Sequence, residues 1–176
     1  LYPHINISIT CQSTNDTLKL LEENKIDVGL IGKPESLKNI DFYYLAEIKD
    51  IFVATKDYLR NLKARGVKED RILQSSTIML LDKNNMTRQY IDDYLQENHI
   101  VVQDSIDISS MDLLIEFAKI SVGVACVIRE FVKKELADGS LIEIPLGFPI
   151  HKREVGFAYK KSVKPSKSLE LFVDFY

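Results

Sequence analysis

Short apolar runs alternate with amphipathic patterns along most of this chain, and that alternation leaves few folds open. Thr77–Leu81 is an apolar run long enough for one strand. Met86–Asn98 then puts Ile91, Tyr94 and Leu95 on one helical face. Val101–Ile108 reads as the next strand. Met111–Ile120 follows as a helix with Leu114, Phe117 and Ala118 inward, and Gly123–Ile128 as a further buried strand. Strands that take turns with helices imply an α/β fold with a mostly parallel sheet.

The flanking segments fit the same scheme. Ile5, Ile7 and Ile9 alternate with polar residues, so 5–10 is expected as a strand. Ser13 with Asp16 three residues later imitates a capping box and opens a helix to about Asn24. Asp27–Ile31 reads as a buried strand ended by Gly32-Lys33-Pro34. Further strands are expected near Phe42–Ala46 and Ile51–Thr55. Lys56–Ser76 is the least regular stretch, with a short helix at Asp57–Leu62 broken by Gly66. Glu130–Leu136 is expected as a helix stopped at Asp138-Gly139, then Leu141–Leu146 as a strand. After the turn at Gly147-Phe148-Pro149 come a strand over Glu154–Tyr159 and a helix from Ser166 onward.

Composition narrows the function. The 176 residues carry 23 Lys and Arg against 26 Asp and Glu, a net charge of −3. No basic excess points to nucleic acid. Cys11 and Cys126 have no spacing motif, and His4, His99 and His151 show no ligand spacing, so neither a disulfide framework nor a metal site is expected. No apolar stretch reaches the roughly 20 residues that cross a bilayer. There is no glycine-rich phosphate loop and no nucleophile frame, so neither a cofactor nor catalysis is expected. The chain begins without an initiator Met and reads as a piece of a longer protein.

Three strand-to-helix junctions share one form: Cys11-Gln12-Ser13-Thr14, Asn84-Asn85-Met86-Thr87 and Ser109-Ser110-Met111-Asp112. In a parallel sheet such junctions lie at the carboxyl ends of strands, where open α/β sheets take ligands. Helix amino termini offer unpaired N–H groups and partial positive charge, so they can hold a carboxylate, sulfate or phosphate without Lys or Arg. The same residue types are also the preferred helix caps, and capping alone explains any one junction.

The order of segments resembles the effector-binding domain of LysR-type transcriptional regulators. The run LYPHINISITCQSTNDTLKLLEENKIDVGLIG is similar to that family's passage from a Tyr-Pro strand through a helix to a DVGL strand. FYYLAEIKDIFVATKDYL resembles its paired strands leading to the second lobe. IMLLDKNNMTRQYIDDYLQENHI resembles its strand, Thr-Arg turn and helix. DSIDISSMDLLIEFAKISVGVACVIREFVKKELADGSLIEIPL resembles its run from a Ser-opened helix through a VGVA strand to DGSL. Together these cover nearly the whole chain.

The resemblance implies two Rossmann-like lobes of the type 2 periplasmic-binding-protein fold, joined by two crossover segments. Lobe I would be 1–55 plus 155–176 and lobe II 56–154. A small polar or anionic effector would sit in the interlobe cleft, lined by Gln12 and Ser13, by Asn85, Met86 and Thr87, and by Ser109. The family implies a cytoplasmic bacterial protein, paired as a homodimer or homotetramer. Leu21 and Ile120 are candidates for the subunit contact. DNA would be reached only through an amino-terminal helix-turn-helix domain absent from this sequence. The family's first strand and helix would precede Leu1. Ser121 stands where a glycine is common, and Ile128-Arg129 where a proline often stands. A solute-binding protein of a transporter shares the fold and is the alternative reading.

Overall fold

The computed structural model describes residues 6–34, 36–161 and 166–173. In chain order these form α1 (Thr14–Glu22), β1 (Gly29–Gly32), β2 (Ile40–Ile48), β3 (Asp50–Ala54), α2 (Lys56–Ala64), α3 (Ile72–Ser75), β4 (Thr77–Leu81) and α4 (Met86–Glu97). Then come β5 (Asp104–Ile108), α5 (Met111–Lys119), β6 (Val124–Ile128), α6 (Lys133–Asp138), β7 (Ile142–Glu143), β8 (Arg153–Lys160) and α7 (Lys167–Val173). Single 3-10 turns at Glu69–Arg71 and Arg129–Val132 lead into α3 and α6.

The chain divides into two compact units, Leu1–Glu47 with Arg153–Tyr176, and Ile48–Lys152. The first holds a three-stranded sheet in the order β1-β8-β2, with β1 antiparallel to β8. Its core joins Leu21, Ile31, Ile40 and Ala158, with Leu18, Ile26, Leu37 and Phe42 against them. Two glycines allow the close approaches. A Cβ on Gly29 would lie 2.3 Å from Thr17 of α1, and one on Gly156 would lie 2.1 Å from the Tyr43 carbonyl. Leu21 is only 1% exposed, so it belongs to this core and not to a subunit contact, whereas Ile120 is 69% exposed.

The expected strand over 5–10 is absent from its described part. Residues 6–10 have no regular structure, and Ile7 and Ile9 are exposed. Period-two alternation makes a strand only where an edge accepts its hydrogen bonds, and among the described residues nothing pairs there. Residue 5 lies outside the described residues, as do those beyond 173 in the expected last helix.

The second unit holds a five-stranded sheet in the order β5-β4-β6-β3-β7. β4 runs parallel to β5 and β6, while β3 is antiparallel to β6 and β7. The sheet is therefore mixed, not mostly parallel. All five residues of β3 are buried in this sheet. That moves the boundary expected at 55/56 back to 47/48, and the return boundary from 154/155 to 152/153.

Alternation sends each strand's residues to two covered faces. Phe52, Ile78, Leu80, Val124 and Cys126 pack with Leu62 of α2 and with Ile91, Tyr94 and Leu95 of α4. Ile51, Val53, Met79, Leu81, Ala125 and Val127 pack with Leu114, Ile115 and Ala118 of α5, and Phe117 joins them partly buried. The strand expected over Leu141–Leu146 is only two residues long. Pro145 has no N–H to continue the ladder, and the last bond, Ile144 N to Phe52 O, is 2.8 Å.

Ser121 occupies the left-handed region at φ 63. The Ser121 and Val122 amides bond back to Ala118 and Phe117 at 3.0 and 3.1 Å, closing α5 in a Schellman turn. Glycine is the residue that suits this position best. Here a 2.6 Å hydrogen bond between the Ser121 and Thr55 hydroxyls accompanies the serine.

Candidate functional site

β4 and β5 are adjacent and parallel, with Leu81 opposite Ile108. They end together, and each feeds a helix at the same sheet edge. After β4, the Asn85 amide bonds to Asp82 O at 2.9 Å, and the Asn85 side chain caps α4 by accepting the Thr87 N–H at 2.9 Å. Asn85, Met86 and Thr87 are half-buried there. After β5, Ser109 is exposed and Ser110 is the cap of α5, its hydroxyl accepting Leu113 N–H at 3.3 Å. Four of the six expected residues, Asn85, Met86, Thr87 and Ser109, thus share one edge of one sheet.

Gln12 and Ser13 belong to the first unit. Gln12 is exposed. Ser13 caps α1, accepting Asp16 N–H at 3.2 Å and donating to the Asp16 carboxylate at 2.7 Å. Its hydroxyl is committed to the helix on both sides.

The three helix termini are electrostatically unequal. α1 carries Asp16 in its first turn and α5 carries Asp112, while the first turn of α4 has no acid. A carboxylate at that place offsets the helix dipole and repels an incoming anion. The first turn of α4 has no such carboxylate of its own. The helix geometry leaves the amides of Met86 and Arg88 without an intrahelical acceptor. This edge can hold a small anion by backbone and amide donors.

Arg88, absent from the expected site, fixes that edge. It is buried, and Nη1 donates to Leu81 O at 2.8 Å and to Asp107 at 2.5 Å, while Nε donates to Asp92 at 2.8 Å. One guanidinium therefore ties the first turn of α4 to the ends of β4 and β5. Burial pulls its pKa down, but the hydrogen bonds to Asp107 and Asp92 outweigh that and hold it above the ordinary arginine value. Its two carboxylate partners more than offset its charge, so Arg88 shapes the edge without adding positive charge to it. The Thr87-Arg88 pair and Asp92 four residues on were the signals available in the sequence. Among the described residues no group of His, Cys, Asp and Glu could hold a metal, and no helix is long and apolar enough to cross a membrane.

The family model that matches this chain is the LysR substrate binding domain, over residues 1–176. The HTH-type transcriptional activator CmpR of Synechocystis sp. is 23% identical over 99% of this chain and 57% of its own length. The chain spans little more than half the length of the curated relatives it matches first. The Synechocystis PCC6803 CcmR regulatory domain, solved in complex with 2-PG, superposes with a TM-score of 0.83 at 15% identity, over 99% of this chain and 83% of that one. The effector-binding domain of QuiR, solved with shikimate, gives 0.74 at 17% identity, over 93% of this chain and 76% of that one. These likenesses establish the two-lobe, periplasmic-binding-protein-like fold.

Proposed function

Because the chain belongs to the LysR substrate binding domain family, we propose that it is the effector-sensing part of a DNA-binding transcriptional regulator, responding to a small anion. The two compact units serve as its two lobes. Asn85, Met86, Thr87 and Ser109 supply the second unit's donors to the anion. The observation that carries this reading is the pairing of Leu81 with Ile108, which brings the acid-free terminus of α4 and the Ser109 turn to one sheet edge.

Relatives called HTH-type regulators support a DNA-reading segment elsewhere in the whole protein, and the reading includes a cytoplasmic setting and assembly as a homodimer or homotetramer. The complexes of CcmR with 2-PG and of QuiR with shikimate support a small-molecule effector. Binding shifts such a protein only by its differential affinity for two arrangements, and a tenfold preference corresponds to about 1.4 kcal/mol.

Calorimetric titration with sulfate, phosphate and shikimate tests the site. Thr87→Val and Ser109→Ala should each weaken any ligand found by about 1–3 kcal/mol where the hydroxyl is buried against it. Unchanged affinity in both variants removes this edge from the site.

A further inference from the structure

The amino ends of β4 and β5 lie side by side, with Thr77 opposite Asp104. They stand four residues along β4, about 13 Å, from the edge that carries Asn85–Thr87. A cavity of about 220 Å³ opens at this end of the sheet, its wall including Tyr58 of α2, Arg65 at the carboxyl end of α2, Gln74 of α3, Thr77 and Asp104. Its polar groups are ordered but not used up. Thr77 Oγ1 donates to Asp104 Oδ2 at 2.7 Å, which fixes the carboxylate, yet among the described residues no cation pairs with it. Tyr58 Oη accepts the Thr77 N–H at 3.2 Å, and its own proton stays free to donate. Arg65 is exposed, and among the described residues its guanidinium has no partner. Gln74 Oε1 is buried without a hydrogen-bond partner. A buried acceptor left unpaired destabilises a fold, and an occupant that brings the missing donor accounts for it.

We propose that this cavity is a second ligand site, for a small zwitterion of the α-amino acid class. One unpaired cation and one carboxylate without a cation, on the wall of a single cavity, complement a molecule that carries both charges. Its ammonium donates to the Asp104 carboxylate and to Gln74 Oε1. Its carboxylate accepts from the Arg65 guanidinium and the Tyr58 hydroxyl. The terminal torsion of Gln74 is soft, and a turn about it brings Oε1 to the ligand. The volume falls below the roughly 300–1,000 Å³ of pockets for drug-sized molecules, which restricts the occupant to a small amino acid. The cavity lies wholly in the second unit, so the inference does not depend on the function proposed above.

Calorimetric titration of the protein with glycine, L-alanine and L-serine tests the site, with acetate and methylammonium as controls that carry one charge each. At least one amino acid should bind, and neither control should bind at the same concentration. Arg65→Met and Asp104→Asn should each weaken that ligand about 10- to 100-fold, the range for a hydrogen bond to a charged group. The asparagine still accepts the Thr77 hydroxyl, so the end of the sheet is kept. Gln74→Met should weaken binding and should raise the melting temperature of the ligand-free protein, because it removes the unpaired acceptor. A lower melting temperature would mean that the amide serves the fold, and overturns the proposal. So does the absence of binding by all three amino acids, or equal binding of acetate. Binding that survives Arg65→Met and Asp104→Asn but is lost in Thr87→Val belongs to the other edge and likewise overturns it.

Discussion

Arg88 Nη1 and Asp107 Oδ1 lie 2.5 Å apart, with the arginine side chain 7% exposed and the aspartate 40%. One partner is in the core and the other at its rim. The pair joins the helix after β4 to the strand beside it, and it does so directly beneath the turns assigned to the ligand. A buried guanidinium is held only while its hydrogen-bond partners remain.

Removing those partners should therefore be graded. Asp107→Ala leaves Arg88 with Asp92 and Leu81 O, and should cost about 1–2 kcal/mol. Asp92→Ala/Asp107→Ala strands the charge and should cost about 3–5 kcal/mol. Urea denaturation measures both. A double variant within about 0.5 kcal/mol of wild type would mean that water replaces both carboxylates.

The missing acid at the α4 terminus gives two effects of opposite sign. Thr87→Asp should raise stability by roughly 0.3–1 kcal/mol by completing the dipole. The same charge should abolish anion binding at the edge. Thermal unfolding and sulfate titration on one sample read both quantities. A variant that is more stable and still binds sulfate unchanged would place the anion elsewhere.

Local signals made the helix termini and β4 readable before any coordinates. Ser13, Asn85 and Ser110 cap their helices because a short polar side chain reaches its own backbone within three residues. Arg88 was not readable in the same way, since its role depends on Asp107, 19 residues away and in register only once β5 lies beside β4. The Ile5–Thr10 alternation misled for the converse reason: a pattern within one segment cannot say whether a neighbouring edge exists. β3 joins the five-stranded sheet, a pairing its apolar run could not reveal because the run is the same whichever sheet receives it. The four-residue α3 is too short to show a period.

Glu143 should make the second unit acid-sensitive. Burial raises its pKa, but hydrogen bonds from Lys49 and Arg129 outweigh burial and hold it below the ordinary 4.5. The folded value lies below the unfolded one, so the stabilisation is complete above the unfolded pKa and is lost as pH falls through the folded pKa. Glu143→Gln should flatten the stability curve below about pH 4.5 and leave its shape above that unchanged. Denaturation midpoints from pH 3 to 7 check this. Parallel curves for variant and wild type would show that Lys49 and Arg129 do not hold a charged partner there.

Ser121 sets a strained backbone against a hydrogen bond. Its φ of 63 costs a non-glycine residue about 1–2 kcal/mol, and the 2.6 Å bond to Thr55 returns about 1 kcal/mol. Ser121→Gly removes the strain and the bond together, so stability should stay within about 1 kcal/mol of wild type. Ser121→Ala keeps the strain and loses the bond, so it should fall by about 1 kcal/mol. Thr55 also caps α2 through the Tyr58 amide at 3.2 Å, so Thr55→Val should cost more than Ser121→Ala, about 1 kcal/mol more for the lost cap. The order of the unfolding midpoints, glycine above alanine above the Thr55 variant, is the readout. An alanine variant at or above the glycine variant would show that the left-handed backbone costs nothing here, and an alanine variant as stable as wild type would show that the hydroxyl pair contributes nothing.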